Sequence, residues 1–179
     1  MKIGLCGTMS VGKTTLVNAL KDLEEFEGYI TRTERSQHLM SLGIPLNTDS
    51  TLKGQTIFLA ERASELMNKA INTDRTVLDV MAFAHCSNSM NYVEKENFVQ
   101  LASCLIHEYD YIFYVSPEGV DIEDNGIRET DAKYRQLIDN SIRYFITRYG
   151  PRIKNLIQIK GTTEERIKVI QETLSPQYV

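Results

Sequence analysis

The sequence predicts one three-layer α/β domain built on a mostly parallel sheet. Three observations predict it. Short apolar runs alternate with stretches of helical spacing along the whole chain. No repeat, low-complexity tract or Gly/Ser linker divides it. Its 179 residues suit a single core at roughly 150 residues per domain. Apolar residues make up 42% and charged residues 25%, the balance of an ordinary globular protein rather than a disordered one.

The elements follow in order. Lys2–Cys6 is an apolar run that ends at a glycine, as a buried strand does. Lys13–Leu23 carries helical spacing through Leu16, Val17, Leu20 and Leu23. Tyr29–Thr31 reads as a second short strand, and Glu34–Leu42 as a helix stopped by Gly43 and Pro45. Thr51–Lys69 is a long amphipathic helix. The next strand is either Ala70–Thr73 or Thr76–Val80, and periodicity leaves both open. Glu94–Glu108 is helical. Tyr111–Val115 is the clearest strand, five β-favouring residues ended by Ser116-Pro117. Ala132–Tyr149 is a helix closed by Gly150-Pro151, Leu156–Lys160 a last strand, and Thr162 with Glu165 a capping-box pattern that opens the final helix. Ligands of such a sheet bind at the carboxyl ends of its strands.

Composition excludes several classes. The formal charge is −4, which opposes non-specific nucleic-acid binding while leaving room for a local basic face. No apolar run approaches the ~20 residues of a membrane span, and MKIGLCG reaches a glycine too early for a secretory leader. The three cysteines, Cys6, Cys86 and Cys104, share no CxxC spacing, so the expectation is a reducing, cytoplasmic setting. Cys104 with His107, or His85 beside Cys86, could suggest zinc, but isolated thiols and histidines in apolar stretches are ordinarily core residues.

Gly7-Thr8-Met9-Ser10-Val11-Gly12-Lys13-Thr14 is a complete GxxxxGK[ST] match, followed by Thr15. It lies between a predicted strand and a predicted helix, the context the motif needs. Gly7 and Gly12 permit the backbone torsions that turn successive N–H groups towards an anion. The helix start adds its positive end. Lys13 would place a charge against the β/γ-phosphates and the Thr14 hydroxyl would complete a magnesium shell. The expectation is a P-loop NTPase fold that binds Mg-ATP or a related triphosphate.

A GTPase would add an Asn/Thr-Lys-x-Asp run, and the chain has none. A motor or AAA-type ATPase would end an apolar strand in Asp-Glu, whereas Tyr111–Val115 ends in Ser116 and Asp110 sits at its other end. Phosphoryl transfer to a small molecule remains. That chemistry needs a carboxylate beside the triphosphate, to orient the acceptor hydroxyl or hold magnesium, and a basic segment to cover the phosphates. Asp74-Arg75-Thr76-Val77-Leu78-Asp79 offers two carboxylates, and which one serves depends on which strand is real. A long polar connection, Glu118–Asp131, predicts a mobile basic lid over about 117–135. Between Gly126 and Lys154 seven basic residues face three acidic ones, +4 in a chain of −4, and Arg128, Lys133 and Arg135 could clamp a phosphoryl group.

GTMSVGKTTL, Arg32-Thr33-Glu34, Gln55, DRTVLDVMAF and DNGIRETDAKYRQLID together resemble a family of small P-loop kinases. It includes the ribosylnicotinamide kinase domain of NAD-metabolism regulators and phage-encoded nucleotide and hydroxymethyluracil-DNA kinase relatives. The similarity runs over roughly residues 1–170. It implies an NMP-kinase-like fold with magnesium–ATP as phosphoryl donor. It also implies Asp74 as the acceptor-side carboxylate, Arg75 as a phosphate contact, Arg128 and Arg135 as lid arginines, and Arg32, Glu34 and Gln55 towards the acceptor. The strand before Asp74 is short and polar for that family, which keeps Asp79 in play; no adenylyltransferase segment is present in the sequence.

Three functions follow as expectations. The first is a kinase that moves the γ-phosphoryl group of ATP to a nucleoside or nucleotide. A second acts instead on a hydroxymethyl-pyrimidine already in DNA, for which the +4 stretch would grip the polymer. The third is a non-catalytic switch whose lid orders on ATP and presents a partner surface.

Overall fold

A computed structural model describes residues 1–33, 35–120 and 132–175. Five strands form one sheet: β1 (Lys2–Cys6), β2 (Ile30–Arg32), β3 (Ile71–Asp74), β4 (Tyr111–Val115) and β5 (Leu156–Ile159). Their spatial order is β2-β3-β1-β4-β5 and every pairing is parallel. Among the described residues seven α-helices connect or flank them: α1 (Lys13–Lys21), α2 (Ser36–Ser41), α3 (Leu52–Glu65), α4 (Val77–His85), α5 (Tyr92–Ser103), α6 (Ala132–Tyr149) and α7 (Thr163–Leu174). The expected three-layer P-loop architecture is what the chain adopts.

Strand alternation sorts the core into two halves. Ile3, Leu5, Tyr111, Phe113 and Val115 point to one face and pack with Leu16, Val17 and Leu20 of α1 and Ile170 and Leu174 of α7. Cys6, Ile112 and Tyr114 point to the other, where α3, α4, α5 and α6 supply Phe58, Leu59, Met81, Phe98, Ile138 and Phe145. Helix α4 is apolar nearly all round and is buried from Val77 to Ala84, the pattern of a helix packed between others.

The strand alternative is decided by topology. Ile71–Asp74 pairs with both β1 and β2 and is buried at every position, despite its polar sequence. Thr76–Val80 is not a strand. Thr76 caps α4, its side chain accepting from Leu78 N at 3.2 Å while Asp79 reaches back to Thr76 N at 2.7 Å. The β-branched residues Thr76, Val77 and Val80 resemble a strand, but the capping box of Thr76 and Asp79 makes the run the start of a helix. The helix expected over Glu94–Glu108 begins two residues earlier, where Asn91 caps it, and ends at Ser103.

Because β1 lies between β3 and β4, the chain reverses its direction of sheet-building at β1. The crevice at the carboxyl ends of β1 and β3 is therefore the place where such folds bind ligands. Among the described residues no helix is long and apolar enough to cross a membrane.

Candidate active site

The loop between β1 and α1 is shaped by backbone hand and by space. Ser10 (φ 56°) and Gly12 (φ 83°) are left-handed on either side of Val11, torsions of the kind that turn loop N–H groups towards an anion. Gly7 is required for room: a Cβ there would lie 2.7 Å from the Val115 carbonyl oxygen of β4. Thr8 is fully buried and donates to the Arg135 carbonyl at 3.1 Å, joining the loop to the first turn of α6.

Lys13 is 7% exposed, with its Nζ donating to the carbonyls of Gly7 at 2.6 Å and Thr8 at 2.8 Å. Burial pushes its pKa down, opposed by the carboxylates of Asp74 and Asp79. An arriving polyphosphate would restore the stabilisation that burial removes, so the residue is poised for an anion.

Asp74 ends β3 beside the loop, because β3 pairs directly with β1 and sets Leu5 opposite Asp74. Its side chain is 1% exposed. One carboxylate oxygen, Oδ2, accepts a short hydrogen bond from Thr14 Oγ1. The other, Oδ1, is buried without a hydrogen-bond partner. An orphaned carboxylate oxygen next to a hydroxyl is the oxygen donor set that magnesium takes, so Thr14 and Asp74 fit the ion that the loop motif implies.

Asp79 has a different place. It is fully buried beneath the loop, where Oδ1 accepts from Gly7 N at 2.9 Å and Oδ2 accepts from Thr76 N and, at 2.9 Å, Thr76 Oγ1. Both oxygens are occupied, and Asp79 does not line the cavity that Asp74 and the loop share. It holds the loop rather than facing a substrate.

One cavity of about 320 Å³ joins these groups to the segment that follows β2. Met9 to Thr15 form one wall, Asp74 and Arg75 the floor, and Thr33, Ser36, Gln37, Leu46 and Asn47 the opposite side, with Phe83 and Val120 closing it. Arg75 stacks its guanidinium 4.7 Å from the centroid of Phe83. Its φ of 131° is uncommon for a side-chain-bearing residue, and such strain gathers at ligand sites. A small side cavity, lined by Gln55, Phe58, Arg75 and Phe83 among others, extends from this floor, and Gln55 is 3% exposed there.

The structure thus gathers Met9 to Thr15, Asp74, Arg75 and, at the margin, Gln55. Arg32 is exposed at the end of β2 and does not line the cavity, whereas its neighbour Thr33 does. Arg135 lies beside the loop and donates from Nη1 to the Val120 carbonyl at 2.6 Å. Glu34, Arg128 and most of the expected lid lie outside the described residues. Sequence reasoning missed Ser36, Gln37 and Asn47 on the wall opposite the loop, and Arg166, which reaches from α7 to the Val11 carbonyl at 2.6 Å. No short motif marks the former. The latter sits in a charged Glu-Glu-Arg-Ile-Lys stretch that reads as a solvated helix face.

The fold is shared with solved structures of a deoxyadenosine kinase from M. mycoides. One is described with the products dCMP and a flexible dCDP bound; it has a TM-score of 0.71 at 15% identity, over 98% of this chain and 100% of that one. Those described with bound dCTP and with bound dATP give 0.68 and 0.67 at 16% identity over the same shares. A comparison with curated proteins returns no match. A family model described as AAA domain matches residues 2–166. That description revises the exclusion drawn from Ser116 at the end of Tyr111–Val115: the strand-end carboxylate is on β3, not on β4. With its match running from the first residue of β1 into α7, the chain belongs to the family described as AAA domain.

Proposed function

We propose that the protein is a phosphotransferase that moves the γ-phosphoryl group of Mg-ATP to the hydroxyl of a nucleoside or nucleotide. The observation that carries this reading is Asp74. Its carboxylate joins the nucleotide loop to the acceptor wall in one cavity, with one oxygen on Thr14 and the other unpartnered. A switch needs only the first half of that arrangement.

In this reading the loop amides, Lys13 and Thr14 hold the triphosphate, with Gly7 to Thr15 as its cradle. Bound magnesium would neutralise charge on the phosphates, held by Thr14 with Asp74 as a further candidate ligand. The acceptor oxygen attacks the γ-phosphorus, the bond to the β-phosphate oxygen breaks, and ADP leaves. The hydroxyl proton passes to the Asp74 carboxylate. Arg75 lies across the floor, where its guanidinium would meet phosphate charge. Arg135, with Arg128 of the lid, would cover the phosphates. The amide of Gln55 would offer paired donor and acceptor groups to the acceptor, and the family resemblance assigns Arg32 and Glu34 to acceptor binding, Glu34 lying outside the described residues.

The nucleoside class is supported by the size of the cavity, by the Phe83 ring and Arg75 guanidinium stacked at its floor, and by the fold shared with a deoxyadenosine kinase. The DNA acceptor draws on basic residues that α6 and its following turn carry away from the cavity: Arg152 donates to Ser103 and Lys154 pairs with Asp110 at the amino end of β4. The free nucleoside or nucleotide is therefore the reading kept. The test is transfer of label from γ-labelled ATP into a panel of nucleosides, nucleotides and modified DNA. Label should enter a nucleoside or nucleotide, and Lys13→Ala should abolish it. Label entering no acceptor, or a fully active Lys13→Ala protein, would refute the reading.

A further inference from the structure

Among the described residues Arg166 is a buried charge without a counter-ion. It is 4% exposed on α7, behind the nucleotide loop. Its Nη1 donates to the Val11 carbonyl at 2.6 Å, and a Cβ added at Gly12 would lie 3.2 Å from the same nitrogen. Its Nε has no hydrogen-bond partner. The adjacent Glu165 spends its carboxylate on Thr162 N at 2.8 Å as an α7 cap, and no ion pair reaches Arg166 among the described residues. Burial lowers its pKa with no carboxylate acting to hold it up.

An isolated buried cation is expensive, and folded proteins ordinarily pair it. Arg166 touches the chain at Val11, inside the loop that would receive a triphosphate. Capping the Val11 carbonyl from behind also occupies an acceptor that would otherwise repel an anion, and leaves the neighbouring amides to face the cavity.

We propose that the counter-ion of Arg166 is the polyphosphate of the bound nucleotide, which makes this arginine a positioning and charge-supplying residue for the triphosphate site. The inference rests on the proposed function, because it needs a nucleoside triphosphate in the loop. Arg166 acts through Val11 and through space, and takes no part in bond making.

The experiment measures ATP affinity by calorimetry, and melting temperature with and without Mg-ATP, for wild type, Arg166→Gln and Arg166→Lys. Arg166→Gln should bind ATP about ten-fold more weakly. Its melting temperature without nucleotide should equal or exceed that of wild type, since an uncompensated charge is gone. Arg166→Lys keeps the charge and should stay within about three-fold of wild type. Affinity for the acceptor should not move in either variant. Three results overturn the inference: unchanged ATP affinity in Arg166→Gln, an equal loss in Arg166→Lys, or an Arg166→Gln protein that fails to fold or melts well below wild type without nucleotide. The last would show that the arginine is a structural strut already compensated in the free protein. A wild type that binds no triphosphate fails the proposed function itself, which separates the two failures.

Discussion

Asp74 and Asp79, five positions apart on either side of the β3–α4 corner, are set up for opposite consequences. Asp79 makes three hydrogen bonds from full burial, among them the one to Gly7 N that fixes the start of the loop. Asp74 makes one and leaves a buried oxygen unsatisfied. An unsatisfied carboxylate oxygen costs stability in the free protein and is useful only when something binds it. Asp74→Asn should therefore leave the melting temperature unchanged or raise it, while turnover falls about 10²-fold or more. Asp79→Ala should do the reverse in the first measure, losing about 2 kcal/mol of stability through the lost cap and the released Gly7 amide. Its ATP affinity should also fall, because the loop loses its anchor. Thermal melts and steady-state assays on the two variants separate the roles; a destabilised Asp74→Asn with normal turnover would contradict them.

At the level of elements, one acidic residue ties the amino ends of three strands. Asp110 donates its amide to the Lys2 carbonyl and accepts from Lys2 N at 2.8 Å through Oδ2, which binds β1 to the start of β4. Its Oδ1 accepts from Lys154 Nζ at 2.8 Å, and its carbonyl accepts from Asn155 Nδ2 at 2.9 Å, which adds β5. Partial burial raises the Asp110 pKa, but the bonds from Lys154 and Lys2 outweigh it and hold the carboxyl below its usual value. A depressed pKa in the folded state gives stability that is present above the unfolded value and lost as pH falls through the folded one. Asp110→Asn should accordingly melt a few degrees lower at pH 7, with the gap to wild type closing as the pH drops below about 4. Melts across that range check it, and a gap independent of pH would remove the carboxylate from the account.

The same scale shows what the sequence could and could not display. Tyr111–Val115 and Ala132–Tyr149 were legible to the residue because an unbroken β-favouring run and a Gly-Pro stop depend on nothing elsewhere in the chain. β3 was not, since its polar Thr73 is made tolerable by Glu65 of α3, whose carboxylate accepts its hydroxyl at 3.0 Å. A contact of that kind leaves no local trace. The loop motif was legible because its chemistry is contiguous. The acceptor wall was not, because Thr33, Ser36, Gln37 and Asn47 meet Asp74 and Arg75 only after two strands have paired.

For the molecule as a whole, the distribution of charge discriminates between acceptors. From Arg143 onward, the basic residues noted between Gly126 and Lys154 are not presented as one surface. Arg143 is committed to Asp139 at 3.0 Å and to the Tyr114 hydroxyl at 3.1 Å. Arg148 stacks on Tyr144 and Tyr149, and Arg152 on Tyr149. Lys154 neutralises Asp110 at the end of the sheet remote from the loop. Helix α6 begins beside Thr8 and runs to that far end, so its later positives stand a helix length from the transferring phosphoryl group. A protein gripping six or more phosphates of a polymer loses about 10³-fold or more in affinity between 50 and 200 mM salt. A small acceptor held in a cavity, in a chain of net charge −4, has no counterion atmosphere of that kind to release. The acceptor KM should then change by no more than about three-fold over the same salt range. Assays with the best nucleoside at four ionic strengths measure it directly. A slope as steep as that of a DNA-binding protein would return the polymer acceptor to the front, and would require phosphate contacts from the segment 121–131 that the described residues do not supply.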